Sequence, residues 1–306
     1  MRAVVCTAYG DPDVLQMRDL ARPSPRAGEV LVRVAATTAH VGDARIRRAD
    51  PFAARFAFGL LHPRRDLVLG MELSGTVAAV GDGAAGFTVG DDVMAFCGFR
   101  LGAYAEFRAL PVTARDSAKH GVLAHKPASL SFAEAAALPA GGLTALKNLQ
   151  KAGLRQGQRV LINGASGSLG TFAVQLAKLL GAEVTAVCSG ANRELVLGLG
   201  ADEVIDYTRE DVARRPARFD VVYDAVMSLP GGARRRLVHP GGVVVRNSGL
   251  GRITESDLRM LGRLADEGVL RPVIDSVHPL ENAMDAHRRV DTGRKRGNVV
   301  LAVSAA

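Results

Sequence analysis

The stretch from Arg159 to Gly170, RVLINGASGSLG, limits what this chain can fold into more than any other, because a short apolar run passes directly into a turn with three glycines. Val160, Leu161 and Ile162 have the unbroken apolar character of a parallel strand covered on both faces. Leu169 to Leu180 follows with helical periodicity and no proline. Between strand and helix, Gly164 permits a tight turn and Gly167 lets backbone amides approach a pyrophosphate. Gly170 lets helix and strand pack closely, and the helix N-terminus adds partial positive charge. The spacing is GxxGxxG, one step from GxGxxG, and a glycine triplet alone is weak evidence. Its neighbours strengthen it.

After the turn, strands expected at Glu183 to Ser189, Glu203 to Tyr207, Asp220 to Val226 and Gly242 to Ser248 alternate with helical stretches such as Asn192 to Leu199. That order predicts a doubly wound parallel sheet with right-handed crossovers, whose ligands sit outside the carboxyl ends of the strands. An NAD site usually ends its second strand with an acid that bonds the ribose 2′-hydroxyl, about 20 residues after the turn. Here that neighbourhood is Cys188, Ser189, Gly190, Ala191, Asn192 and Arg193, without an acid. A hydroxyl and a guanidinium can bond a 2′-phosphate, which favours NADP(H).

The first 110 residues differ. Short β-type runs at Arg2 to Cys6, Glu29 to Ala36, Glu72 to Val80 and Asp92 to Phe96, separated by Pro- and Gly-rich turns, predict a mostly antiparallel, barrel-like unit. Ser131 and Glu134 form a capping-box pattern, and Gly142 to Lys151 reads as a helix leading into the nucleotide fold. Toward the end, Thr254 to Glu267 and Leu280 to Arg289 read as helices, Arg271 to Val277 as extended chain and Asn298 to Val303 as a strand. This tail has no βαβ partner left, so it is expected to return to the first unit.

The 306 residues suit two domains, and 48% hydrophobic with 23% charged residues is ordinary for a globular protein. No leader pattern and no membrane-length apolar run is present, so a cytoplasmic location is expected. Cys6, Cys97 and Cys188 are too few and too scattered for a disulfide framework or a Cys-rich zinc site, and read as buried small hydrophobes. The net charge of +8 comes from dispersed clusters at 45–48, 64–65, 234–236 and 294–296, read as solvated faces. With aromatics at 5% and no tryptophan, nucleic acid is a poor fit.

The whole chain resembles the medium-chain dehydrogenase/reductase superfamily, in its zinc-free, zeta-crystallin-like quinone oxidoreductase branch. The residues that carry the resemblance are MRAVVCTAYGDPDVLQ, GMELSGTVAAVG with GDDVMAF, GAYAEF, LSFAEAAALPAGGLTAL, VLINGASGSLGTFAVQLAKLLGAEVTAVCS, LGADEVIDY and RGNVVLAV, in that order. It implies an α/β protein with a GroES-like catalytic domain (1–121), a Rossmann domain for NADP(H) (122–269) and a C-terminal return (270–306). Against the zinc-dependent relatives, the Gly-His-Glu segment is here Gly70, Met71, Glu72; the cysteine before the nucleotide domain aligns near Ala140, and no four-cysteine lobe exists. No metal is expected.

The resemblance further implies NADPH-dependent hydride transfer to a quinone or an α,β-unsaturated carbonyl. Where the family has Asn-Pro-x-Asp, this chain has His40, Val41, Gly42, Asp43; His40 would donate a hydrogen bond and titrate near neutrality. Tyr104 is the alternative donor. Ser166 to Leu169 amides would hold the pyrophosphate, with Ser189, Arg193 and Tyr207 around the 2′-phosphate and Thr144 and Ser248 near the cofactor. Relatives continue after the fifth strand through a further helix and a sixth strand, which are missing here, so a homodimer through that strand is in question. Enoyl reduction in lipid or polyketide metabolism, and NADPH binding without turnover by a regulatory or RNA-contacting protein, are the alternatives.

Overall fold

A computed structural model describes residues 1–113, 116–215, 218–247 and 252–303. Their strands, in chain order, are β1 Arg2–Cys6, β2 Leu15–Asp19, β3 Glu29–Ala39, β4 Glu72–Val80, β5 Asp92–Phe96, β6 Phe107–Pro111 and β7 Val122–His125. Then follow β8 Arg159–Asn163, β9 Glu183–Cys188, β10 Glu203–Asp206, β11 Phe219–Asp224, β12 Val238–Arg246, β13 Ile274–Pro279 and β14 Asn298–Ala302. The chain divides into two units, one of Met1–Ala140, Arg252–Asp266 and Ile274–Ala306, the other of Gly141–Gly251 and Glu267–Val273.

In the first unit, β3 is the central strand. Val30, Leu31, Val32 and Val34 are buried on it, and its edges pair antiparallel with β4, with β6 over its first half and with β14 over its second. The sheet runs β13-β14-β3-β4-β5-β7, with β6 on β3. The C-terminal strand therefore returns to the first unit, with Val299 opposite Ala39. β3 runs three residues past the expected Ala36, because Thr37 and Thr38 are β-branched, Thr37 pairing with both β4 and β14 and Thr38 with β14, and this brings the chain to His40 in extended form.

The unit boundaries differ from the expected ones. Residues 122–140 belong to the first unit because β7 pairs with β5, from Phe96 opposite Val122 to Val93 opposite His125. The helix Glu255–Asp266 belongs there too: Gly262 packs closely on Met94 and Pro127, and the Asp266 carboxylate accepts the Ser129 N–H at 2.9 Å. The Ser131–Glu134 capping box forms, with the Ser131 N–H donating to Glu134 at 2.9 Å and the Glu134 N–H to Ser131 Oγ at 3.3 Å. Such a cap stabilises a helix by about 1 kcal/mol.

The second unit is a parallel sheet in the order β10-β9-β8-β11-β12. Leu161, Val187, Ile205, Phe219, Val222 and Leu237 form a buried cluster on it. Among the described residues the sheet has five strands, as the missing sixth implies, and β12 forms its edge. β12 begins at Val238 rather than Gly242, and its register shifts across the His-Pro-Gly-Gly stretch before Val243 pairs with Val221. A proline in a strand is tolerated at such an edge irregularity.

Two of the basic clusters each hold one residue withdrawn from solvent, while Arg48, Arg294 and Arg296 stay exposed. Arg47 is fully buried. It bonds the Gly10 carbonyl, His287 Nδ1 and the Asp291 carboxylate, so the helix Val41–Arg48 is pinned to the helix Ala283–Asp291. Lys295 is half-buried.

Candidate functional site

The glycine turn leaves β8 and enters the helix Ser168–Leu179. Gly164 has φ +83°, and a Cβ there would lie 2.5 Å from Val226 Cγ1. A Cβ on Gly170 would lie 2.1 Å from the Gly164 carbonyl oxygen, whereas on Gly167 the nearest atom would be 3.4 Å away. So Gly164 makes the turn, Gly170 makes the close packing, and Gly167 faces room. The Gly164 and Ala165 amides both donate to the Val187 carbonyl, at 3.1 and 3.0 Å, and the Gly167 amide to the Gly164 carbonyl at 3.1 Å. Gly164 and Gly167 amides are therefore spent within the turn and not offered to a ligand. Those of Ser166, Leu169 and Gly170 meet no acceptor among the described residues, as the first turn of a helix requires. Ser168, also expected here, has its own partner within the protein.

Ser189 lies just past β9. Asn192, not singled out from sequence, donates through Nδ2 to Ser166 Oγ at 3.0 Å and to Ser189 Oγ at 3.3 Å, tying the glycine turn to the end of the second strand. Arg193 is exposed, with Nη1 3.4 Å from the Val204 carbonyl. Tyr207 follows β10 and is 59% exposed. The neighbourhood is not free of acid, as residues 188–193 alone implied. Asp206, brought from β10, stands against Gly190 so closely that a Cβ there would be 2.4 Å from its Oδ2. Hydrogen bonds from Thr208, and then from the Gly190 amide, hold its carboxyl below the usual range and therefore charged. Thr144 is buried, and its carbonyl accepts from Asn148 Nδ2 at 2.9 Å. Ser248 lies outside the described residues.

In the first unit, His40 is the N-cap of the helix Val41–Arg48. The Gly42 N–H donates to His40 Nδ1 at 3.0 Å, and the His40 N–H to Asp43 Oδ2 at 3.2 Å. With Nδ1 accepting, the ring proton sits on Nε2. That N–H has no hydrogen-bond partner among the described residues. Burial, and then the nearby Lys295 charge, push His40 down to about 4, so it is a neutral imidazole and does not titrate near neutrality as expected.

Asp43 and Tyr104 are fully buried. Asp43 accepts the Gly70 N–H at 2.9 Å, and burial pushes it up to about 7. The Tyr104 hydroxyl lies 3.0 Å from His287 Nε2, 3.3 Å from the Thr38 carbonyl and 3.5 Å from Asp43 Oδ2. Burial pushes Tyr104 well above its ordinary value. Its proton is committed inside the protein, so Tyr104 and Asp43 position His40 rather than donate to a substrate.

Glu72 is buried beside them. Thr38 Oγ1 donates to its Oε1 at 2.5 Å and the Ala140 N–H to its Oε2 at 2.6 Å, and burial pushes it up to about 7. The Met71 sulfur packs on Gly42, where a Cβ would lie 2.6 Å from it. Among the described residues no three His, Cys, Asp or Glu side chains gather as a metal site. With Met71 and Ala140 at two of the expected ligand positions, the donor set does not fit a tetrahedral zinc. The three cysteines are buried and free. No helix among the described residues is long and apolar enough to cross a membrane.

Residues 26–148 match the family described as "Alcohol dehydrogenase GroES-like domain", and residues 168–261 and 233–301 match two families described as "Zinc-binding dehydrogenase". The chain is 34% identical to 2-methylene-furan-3-one reductase of Solanum lycopersicum, over 98% of its own length and 79% of that protein's. It is 31% identical to the chloroplast envelope quinone oxidoreductase homolog of Arabidopsis thaliana, over 98% of both chains. The solved quinone oxidoreductase from Coxiella burnetii superposes with a TM-score of 0.85 at 29% identity, covering 99% of each chain. With a strand-glycine-helix nucleotide fold in one unit and a second unit built from both ends of the sequence, the chain belongs to the medium-chain dehydrogenase/reductase superfamily, in its quinone oxidoreductase branch.

Proposed function

We propose that this protein is a zinc-independent, NADPH-dependent reductase of quinones or α,β-unsaturated carbonyls. The observation that carries the reading is the turn at Gly164–Gly170, where the Ser166, Leu169 and Gly170 amides meet no acceptor among the described residues and Gly167 leaves room for a pyrophosphate. The fit extends to the ribose end, where Ser189, Arg193 and Tyr207 would surround a 2′-phosphate. Asp206 opposes that phosphate electrostatically, but its oxygens are turned to Thr208 and the Gly190 amide.

A bound NADPH supplies the hydride. The protein's part is to hold the acceptor and its developing negative charge. His40, neutral and held at its backbone N–H by Asp43, which has the Tyr104 hydroxyl beside it, would offer its Nε2–H to the carbonyl oxygen. With no metal ligand set among the described residues, hydrogen bonding and placement carry the activation in this reading. The names of the tomato and Arabidopsis relatives, a furanone reductase and a quinone oxidoreductase homolog, support this acceptor class. A cytoplasmic location belongs to the same reading.

The test is binding of NADPH and NADH to the purified protein, followed by oxidation of the bound cofactor by a quinone and enone panel. Tighter NADPH binding with acceptor-dependent oxidation is the expected result. Tight NADPH binding with no oxidation by any acceptor would overturn the reductase reading in favour of a binding protein.

A further inference from the structure

Asp224, the last residue of β11, is fully buried at the carboxyl edge of the parallel sheet, the edge that also carries the glycine turn. Its register partner on β8 is Asn163, the residue before Gly164. Asp224 Oδ1 accepts from Asn163 Nδ2 at 2.8 Å and from the Ser228 N–H at 3.2 Å, and Oδ2 accepts the Leu229 N–H at 3.2 Å. Arg234 Nη1 lies 3.5 Å from Oδ2, and Asn163 Nδ2 also donates to Ser228 Oγ at 3.0 Å. One carboxylate therefore ties the start of the glycine turn to the chain that leaves β11. Within that chain Met227 has φ +57°, a left-handed conformation that a long side chain rarely adopts. Such backbone persists only where its surroundings fix it, and Asp224 does so by holding the two amides that follow. The turn presents Val226, which is apolar yet 53% exposed. It packs on Gly164 so closely that a Cβ there would meet its Cγ1 at 2.5 Å.

The strand order β10-β9-β8-β11-β12 says which end of a dinucleotide this turn would meet. With the pyrophosphate at the end of β8 and the 2′-phosphate toward Ser189 and Arg193 past β9, the nicotinamide half is left on the other side of β8, toward β11. We propose that Asp224 is a positioning residue for the nicotinamide half of NADP(H), and that Val226 is the apolar surface on which that half rests. The inference rests on the cofactor reading and adds to it two residues outside the glycine turn. A flat ring gains from apolar contact, and binding costs less where the surface is already fixed before the ligand arrives. Asp224 itself touches no ligand. Its two oxygens are spent on Asn163, Ser228, Leu229 and Arg234, so it acts through the turn that it holds.

The experiment compares the full-length protein with Asp224→Asn and Val226→Ala, using two probes. One is NADPH, and the other is 2′,5′-ADP, which carries the adenosine 2′-phosphate but no nicotinamide. Calorimetry gives both affinities, the fluorescence of NADPH at saturation reports how far the bound ring is shielded from water, and the Tm of each protein is measured alongside. Asp224→Asn should weaken NADPH about tenfold, on the order of one hydrogen bond to a charged group, and leave 2′,5′-ADP as in wild type. Val226→Ala changes an exposed side chain, so its Tm should stay near wild type while the fluorescence gain of saturating NADPH falls. A merely structural role would move the Tm and both affinities together. Parallel loss of both probes in folded Asp224→Asn, or wild-type fluorescence in Val226→Ala, overturns the inference. If Asp224→Asn does not fold, Val226→Ala decides alone. If wild type binds neither probe, the cofactor reading fails and the inference falls with it; if wild type binds both and the variants match it, the inference alone falls.

Discussion

Arg47 donates its Nε–H to Nδ1 of His287 at 3.2 Å, and this one bond sets the direction of a buried chain of donors. With Nδ1 accepting, His287 carries its proton on Nε2 and donates to the Tyr104 oxygen at 3.0 Å. The tyrosine proton is then left for the Thr38 carbonyl or for Asp43, and Asp43 in turn caps the backbone at His40. An arginine on one helix thereby orients the residue at the far end of that helix that the proposed chemistry uses.

Removing the first member of this chain should be costly. Arg47→Met keeps much of the volume but leaves His287 Nδ1 and the Gly10 carbonyl without this donor, and Asp291 with Arg48 alone. Breaking a buried ion pair from one side typically costs about 3–5 kcal/mol. Urea denaturation should show that loss, while the neighbouring Arg48→Met, whose side chain is 37% exposed, should cost well under half as much.

The buried groups around His40 make stability depend on pH in opposing ways. Asp43 has a folded value of about 7 against 3.8, so its contribution is fully present below about 4 and is lost as the pH rises through about 7. His40 has a folded value of about 4 against 6.5, so its neutral form contributes above 6.5 and that stability is lost as the pH falls through about 4. Asp43→Asn removes the first effect alone. Between these values the slope of unfolding free energy against pH should become more positive by up to about 1.4 kcal/mol per pH unit. Denaturation curves of the two proteins at several pH values check this; parallel slopes would show that Asp43 ionises normally.

Gly167 and Gly170 separate ligand binding from folding. Gly170→Ala drives a methyl group to 2.1 Å from a backbone carbonyl and should destabilise by about 1–3 kcal/mol or more. Gly167→Ala meets nothing closer than 3.4 Å, so its Tm should stay near wild type. Its NADPH affinity, followed by cofactor fluorescence, should nonetheless fall about tenfold if the room above Gly167 is where the pyrophosphate lies. Unchanged affinity would place the phosphates elsewhere.

Asp206 and Arg193 act in opposite directions on cofactor choice. Arg193→Ala should weaken NADPH and leave NADH unchanged. Asp206→Asn keeps a hydrogen-bonding side chain beside Gly190 but removes a charge that opposes a 2′-phosphate. It should raise the NADPH over NADH preference several-fold, the order expected for unit charges several ångströms apart near a surface. Paired titrations with both cofactors decide it, and a fall in the preference would mean that Asp206 acts only through the shape of the Gly190 turn.

Much of this protein was legible in its sequence because the deciding interactions there are local. The apolar run 160–162, the glycine spacing, the Ser131–Glu134 cap and the strand-helix alternation after Gly170 depend on neighbours a few residues away. Each of them is found in the structure. The missing sixth strand was legible as the short connection between Gly249 and Thr254, and among the described residues the sheet has five strands.

What the sequence could not decide were roles set by contacts between distant segments. Arg47 and Lys295 stand in basic runs that look like solvated surface. Only the pairing of β14 with β3, and the packing of the last helix on the first, turn one into a buried staple and draw the other partly out of solvent, onto the Gly297 carbonyl. Asp206 lies 16 residues beyond Gly190, and its carboxylate reaches that turn because β10 pairs with β9. His40 looked like a group that titrates near neutrality, and burial makes it a fixed neutral donor. Local patterns determine which elements form, since they are set by backbone geometry and periodicity. Charge state and hydrogen-bond direction depend on desolvation and on partners, and both exist only once the chain has closed around them.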